Sequence, residues 1–312
     1  MSYLDHPIDL LVVLGPTASG KTRLGVELAR LLEGEILSAD SRQVYKGLDI
    51  GSGKDVEEYG EIPYHLIDIV DPGYEFNLFA YQRHFFEAFS LVQSRGKLPI
   101  LVGGTGMYID AVINNYELAA VPENSPLREE LSTLDHDQLI ERLKIVQTQL
   151  HNTTDLKQRS RLIRAIEIAE SGREVAVTPG EREQPLIVPL VLGIKLPRPE
   201  LRRRITQRLR TRLENGLIEE VAALHQQGLS FDTLNFYGLE YRYVAQFVTG
   251  KLNRNDMYQK LNSAIHQFAK KQETWFRRME KRGTIIHWLD GNKNLYTQVL
   301  PILEQHGLTS GN

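Results

Sequence analysis

Gly15-Pro16-Thr17-Ala18-Ser19-Gly20-Lys21-Thr22 is a full match to G-x-x-x-x-G-K-[ST], set between an apolar, β-branched run and an amphipathic one. The chemistry of that spacing is phosphate binding. Its glycines let backbone N–H groups turn inward around phosphate oxygens, and a helix opening at Lys21 adds partial positive charge. Lys21 brings a cation to the outer phosphate and Thr22 a hydroxyl for Mg²⁺. A chance match in a chain of this length is on the order of 1% by average residue usage. The expected ligand carries a diphosphate or a larger phosphate group.

Two further stretches offer reactive groups. Asp40-Ser41-Arg42-Gln43 follows the second strand-like run, at the edge of a parallel sheet where ligands bind. A carboxylate there could hold Mg²⁺ or take a proton from a nucleophile, and it could equally cap a helix. Gly103-Gly104-Thr105-Gly106 ends another run on the same rim. It brings backbone and the Thr105 hydroxyl near a ligand, or it is a plain tight turn.

Other chemistries are excluded or unsupported. With no Cys there is no disulfide, Cys-ligated zinc, iron–sulfur cluster or thiol catalysis. The nine His form no H-E-x-x-H, and no G-x-S-x-G elbow occurs. Gly51-Ser52-Gly53-Lys54 lacks the later glycine of a dinucleotide fingerprint and reads as a loop. Trp275 and Phe276 read as core, with base-stacking the less common use.

The elements that must carry these residues alternate. Residues 8–14, 35–39 and 98–102 read as buried strands, with helical patterns over 22–32 and 78–93. That alternation predicts a parallel sheet flanked by helices. From Pro122 to about Gly172 no strand is evident, while Leu139, Leu143, Val146 and Leu150 recur at helical spacing, as do Leu162, Ala165, Ile166 and Ala169. Ser125-Pro126 reads as a helix start. Strand character returns at 186–196, a long helix is expected from 199 to about 226, another amphipathic helix over 257–279, and a last strand at 284–289. The expected fold is thus α/β, a P-loop NTPase-like core of residues 1–116 and 187–312 with an all-helical insertion at 117–186.

The 312 residues hold 37 Lys+Arg against 40 Asp+Glu, a net charge of -3, yet residues 198–212 carry seven arginines and 266–282 six basic residues. Such concentration suggests a polyanion site, against the bland reading of two solvated helix faces. Residues 1–14 lack the basic flank of a signal peptide, and the longest apolar stretch, 185–196, is too short to span a bilayer. A cytoplasmic, soluble protein with no membrane partner is expected.

Read together, these residues resemble the bacterial-type tRNA dimethylallyltransferases, or isopentenyl-tRNA transferases. Besides residues 15–22, the matching pieces are Ser38-Ala39-Asp40-Ser41-Arg42-Gln43-Val44-Tyr45, Asp49-Ile50-Gly51 and Tyr64-His65-Leu66-Ile67-Asp68. Gly103-Gly104-Thr105-Gly106-Met107-Tyr108, Arg161-Leu162-Ile163-Arg164-Ala165-Ile166-Glu167 and Ala269-Lys270-Lys271-Gln272-Glu273-Thr274-Trp275 complete the set. The ordered set is far more specific than any member except the first. The resemblance implies transfer of a dimethylallyl group from dimethylallyl diphosphate to N6 of adenosine 37 in tRNA, with Mg²⁺ on Thr22 and a monomeric enzyme. It implies that Thr17, Ser19, Gly20, Lys21 and Thr22 contact the diphosphate, that Arg208 neutralises its far side, that Asp40 is the base, and that Thr105 positions a substrate. It places Asp40, Ser41, Arg42, Gln43, Thr105, Arg128, Ser160, Arg161, Leu162, Ile163 and Arg164 at tRNA-contact positions, the insertion gripping the anticodon stem-loop.

The chain also departs from the pattern. Ala264-Ile265-His266-Gln267 stands where Ala-Thr-Arg-Gln is usual, Gly238-Leu239-Glu240-Tyr241-Arg242-Tyr243 replaces the Gly-Tyr-(Lys/Arg)-Glu stretch, and Ser160 stands where Gln is common. Prenylation of free AMP, ADP or ATP is an alternative that a stem-loop clamp disfavours. A small-molecule P-loop kinase with Asp40 activating a hydroxyl, or an RNA-binding protein without activity, are the readings from other classes.

Overall fold

Leu10–Leu14 (β1) is buried at all five positions, the mark of a strand covered on both faces. Around it lies a six-stranded, all-parallel sheet in the order β3-β2-β4-β1-β5-β6. The other strands are β2 (Glu35–Ala39), β3 (Tyr64–His65), β4 (Pro99–Gly103), β5 (Pro189–Lys195) and β6 (His287–Asp290). The computed structural model describes residues 8–118, 121, 124–146, 159–171 and 185–309.

Strand alternation sorts the core into two layers. Leu10, Val12 and Leu14 join one cluster, and Leu11 and Val13 the other. The second layer is closed by α1 (Lys21–Leu31) and α12 (Leu295–Gln305), which contribute Leu24, Leu28, Val299 and Leu303. The first is closed by α2 (Leu78–Ser94), α3 (Gly106–Ile113) and the helices that follow β5. Those are α7 (Arg198–Glu214), α8 (Leu217–Gln226), α9 (Phe231–Phe236), α10 (Leu239–Val248) and α11 (Arg254–Lys281). The single helix expected over 199–226 is two: Gly216 takes φ 99°, a left-handed conformation that ends α7 and starts α8.

Register sets the site. Leu14 of β1 and Ala39 of β2 both pair with Gly103 of β4. The three loops that carry Lys21, Asp40 and Thr105 therefore leave the sheet side by side at its carboxyl edge, where α/β sheets bind ligands.

The chain divides into two compact units, Met1–Asn115 with Leu186–Asn312, and Tyr116–Pro185. In the second, α4 (Ser125–Ser132), α5 (His136–Val146) and α6 (Arg159–Ser171) surround Leu127, Leu131, Leu139, Leu143, Leu162 and Ile166. The cap of α4 is Asn124, whose side chain accepts from the Leu127 amide, so Ser125 lies one residue inside the helix that it was expected to start. Leu150 and the loop with Gly172, Pro179 and Gly180 lie outside the described residues. Among the described residues no helix is long and apolar enough to cross a membrane.

Candidate active site

The phosphate-binding loop joins β1 to α1. Ala18 holds φ 62°, strained for a residue with a side chain, and Ser19 N donates to the Pro16 carbonyl at 3.2 Å. No side chain caps α1, so its first amides are left facing the loop. The Ser19 hydroxyl is buried and finds no hydrogen-bond partner among the described residues. Burial, then the charge of Arg208, brings the Lys21 ammonium down to about 8. Gly15, Pro16, Ala18, Ser19 and Gly20 shape the loop, while Thr17, Lys21 and Thr22 line a cleft of about 260 Å³.

Helix α7 supplies the opposite wall. Arg208 Nη1 donates to the Thr17 hydroxyl at 3.4 Å, and Arg208 pairs with Asp55. Arg212 Nη1 donates to the Gly51 carbonyl at 3.4 Å and meets Glu240 Oε1 at 3.3 Å. Both guanidiniums lie against Gly53, which has φ 64° and no room for a Cβ. Burial pushes the Glu240 carboxyl up against the pull of Arg212. Arg204, one helical turn before Arg208, pairs with Glu200 and donates to the Gly291 carbonyl. Lys21, Arg208 and Arg212 thus line the cleft together, and Arg42 and Arg242 bring its cationic side chains to five.

Asp40 and Thr105 stand on the loops after β2 and β4. Asp40 Oδ1 accepts from the Arg42 amide at 2.9 Å, and the Thr105 hydroxyl accepts from the Ser41 amide at 3.2 Å. Gln43 bridges the Ser38 hydroxyl (2.8 Å) and the Gly53 carbonyl (3.0 Å), tying the Asp40 loop to the glycine under the arginines. Asp40, Ser41, Arg42, Gln43, Thr105 and Arg208 all line the same cleft as Lys21. Residues from α10 and α11 complete it, among them Glu240, Arg242, Phe268 and Gln272. None of these four stands out by local pattern. Phe268, on the amphipathic α11, is 43% exposed in the structure.

The remaining expected contacts belong to the Tyr116–Pro185 unit. Arg161 is exposed on α6, and Ile163 is partly buried. The side chain of Leu162 is fully buried in the core of that unit, which leaves only its backbone for a contact. Arg128 and Arg164 both engage Glu167. The side chain of Ser160 lies outside the described residues.

Residues 43–279 match the model of the IPP transferase family, and residues 8–61 that of isopentenyl transferase. The chain belongs to the IPP transferase family. It is 59% identical over 300 residues to tRNA dimethylallyltransferase 1 of Geotalea uraniireducens, covering 96% of this chain and 98% of that one. It is 60% identical over 287 residues to tRNA dimethylallyltransferase 2 of Syntrophotalea carbinolica, covering 91% and 94%. The crystal structure of full-length tRNA isopentenylpyrophosphate transferase from Bacillus halodurans superposes with a TM-score of 0.68 at 30% identity, over 96% of this chain and 94% of that one. The parallel sheet with flanking helices is accordingly the P-loop NTPase-like fold of this family of prenyltransferases.

Proposed function

We propose that this chain transfers a dimethylallyl group from dimethylallyl diphosphate to N6 of adenosine 37 in tRNA, releasing diphosphate. The observation that carries the proposal is the cleft itself, which Lys21, Arg208 and Arg212, as a cationic diphosphate cradle, line together with Asp40 and Thr105. In allylic transfer the C1–O bond to diphosphate breaks as the N6–C1 bond forms, and negative charge builds on the leaving group. Fixed cations at that position lower the barrier more than they favour the ground state. The N6 amino group is a poor nucleophile. In this reading its proton goes to the Asp40 carboxylate, held in place by the Arg42 amide.

Mg²⁺ fits this donor set. The ion usually takes one or two protein oxygens and fills its shell with phosphates and water. Thr22 lines the cleft and offers one hydroxyl oxygen, and among the described residues no group of three or more His, Cys, Asp or Glu offers a cage. Bound there, Mg²⁺ would add charge to the leaving diphosphate. The acceptor adenine has to leave its stack, which costs least in an exposed loop such as the anticodon loop. The helical unit takes the anticodon stem-loop in this reading, with Arg161 among its phosphate contacts.

The test is incubation of purified protein with labelled dimethylallyl diphosphate and tRNA, followed by nucleoside analysis. Label in N6-(dimethylallyl)adenosine of tRNA is expected. Label in AMP with none in tRNA, or ADP formed from ATP without prenyl transfer, overturns the proposal.

A further inference from the structure

Helix α11 sends one buried polar side chain between the two loops of the cleft. Gln272 Oε1 accepts from the Thr17 amide at 2.9 Å, and its Nε2 donates to the Gly104 carbonyl at 2.9 Å. The residue lies 255 positions from one partner and 168 from the other. It interrupts the buried stripe Ile265, Ala269, Phe276 and Met279, so Ala269 and Phe276 confine it on either side. Arg282, the C-cap of α11, pairs with the fully buried Asp110 of α3, the helix that Thr105 precedes.

We propose that Gln272 is a positioning residue that sets the separation between the diphosphate loop and the Thr105 loop during prenyl transfer. The proposal rests on the transfer reading above. Linking an N–H to a carbonyl across this gap requires one acceptor and one donor at the end of a single side chain. A primary amide supplies both; an ionised carboxylate only accepts, and Lys or Arg only donates. The bridge also takes the Thr17 amide out of the phosphate cradle, leaving the amides at the start of α1 to the ligand. Because the Thr105 hydroxyl holds the Asp40 loop through the Ser41 amide, a shift between the Thr105 loop and the diphosphate loop moves the base relative to the allylic carbon, and a 1 Å misplacement can cost about 10²-fold in rate.

Two variants separate this role from one confined to stability. In Gln272→Met the volume is kept and both hydrogen bonds are lost. Its kcat should fall about 10²-fold, with the KM for tRNA unchanged and a ratio to wild type that does not vary with pH. In Gln272→Glu the ionised side chain faces the Gly104 carbonyl with no proton to donate, whereas the protonated acid again offers one donor and one acceptor. Its kcat relative to wild type should therefore recover as pH falls. The titratable and charged groups that line the same cleft are Lys21, Asp40, Arg42, Arg208, Arg212, Glu240 and Arg242, with the Tyr59 phenol. They are common to variant and wild type, so the ratio removes their first-order titration. A Gln272→Met enzyme with wild-type kcat, or a flat Gln272→Glu ratio, overturns the inference. Wild-type turnover in the same assay reports separately on the transfer reading.

Discussion

Tyr241 donates its hydroxyl to Glu220 Oε1 at 2.8 Å, and the same carboxylate accepts from the amides of Asp49, Ile50 and Gly51 at 3.0, 2.6 and 3.0 Å. Three consecutive N–H groups form an anion nest, and the protein fills it with its own side chain. Tyr241 belongs to the stretch that departs from the usual family pattern, so the departure has a structural use. The nest fixes the backbone whose Gly51 carbonyl receives Arg212 and whose Gly53 lies under Arg208.

Glu220→Gln should therefore act on the cleft from a distance. The amide loses the charge and presents one acceptor to amides that had shared two oxygens. A loss of about 1–3 kcal/mol is expected in chemical denaturation. The KM for dimethylallyl diphosphate should rise more than that for tRNA, because the displaced loop backs the arginines. Equal shifts in both constants would remove the link between nest and cradle.

Asp40→Asn separates proton transfer from geometry. An Asn side chain can still accept from the Arg42 amide, so the loop should hold, while the proton acceptor is gone. Turnover should drop about 10²–10⁴-fold. Affinity for tRNA, measured by filter binding, should remain near wild type. A variant that turns over at the wild-type rate removes Asp40 as the base.

Lys21 titrates close to neutrality, at about 8. Below that value it is an ammonium that grips diphosphate; as pH rises through it, the charge is lost. With limiting dimethylallyl diphosphate, kcat/KM should fall above about pH 8. Arg208 is one of the groups that lower Lys21, so Arg208→Ala should weaken diphosphate use and also move the break to higher pH. A profile whose break stays in place in Arg208→Ala would show that another group titrates.

Much of this site was legible because its chemistry is local in sequence. Eight consecutive residues make the phosphate loop, and Asp40 and Thr105 each follow an apolar run that can only be a buried strand. Gln272, Glu220 and Glu240 were not legible, because their partners are assembled by topology. Gln272 satisfies a loop 255 residues away, and its neighbours give it the spacing of an ordinary core position. Element ends escaped for physical reasons too. The two-residue β3 exists through its pairing with β2, and α12 carries Pro301 inside it, which argues against a helix until the packing of Val299 and Leu303 is seen. Arg204, Arg208 and Arg212 follow one another at intervals of four along α7, yet only the latter two reach the cleft.

In the helical unit, Glu167 is 1% exposed and is held by four donors. Arg128 binds it through Nε and Nη2 at 3.1 Å each, the Asn124 amide donates at 2.6 Å, and Arg164 pairs with it. Burial alone would raise its pKa, but the hydrogen bonds from Arg128, the Asn124 amide and Arg164 prevail and lower it from 4.5. A carboxylate depressed in the folded state contributes stability that is fully present above its unfolded pKa and is lost as pH falls through the folded value. Hydrogen-exchange protection of α4 and α6 should therefore decline as the pH is taken below 4.5. Glu167→Gln should lose protection at pH 7, by about 1–3 kcal/mol as the charge-assisted hydrogen bonds from the partly exposed arginines weaken, and should be less sensitive to acid. If protection is unchanged in Glu167→Gln, the carboxylate does not anchor the two arginines.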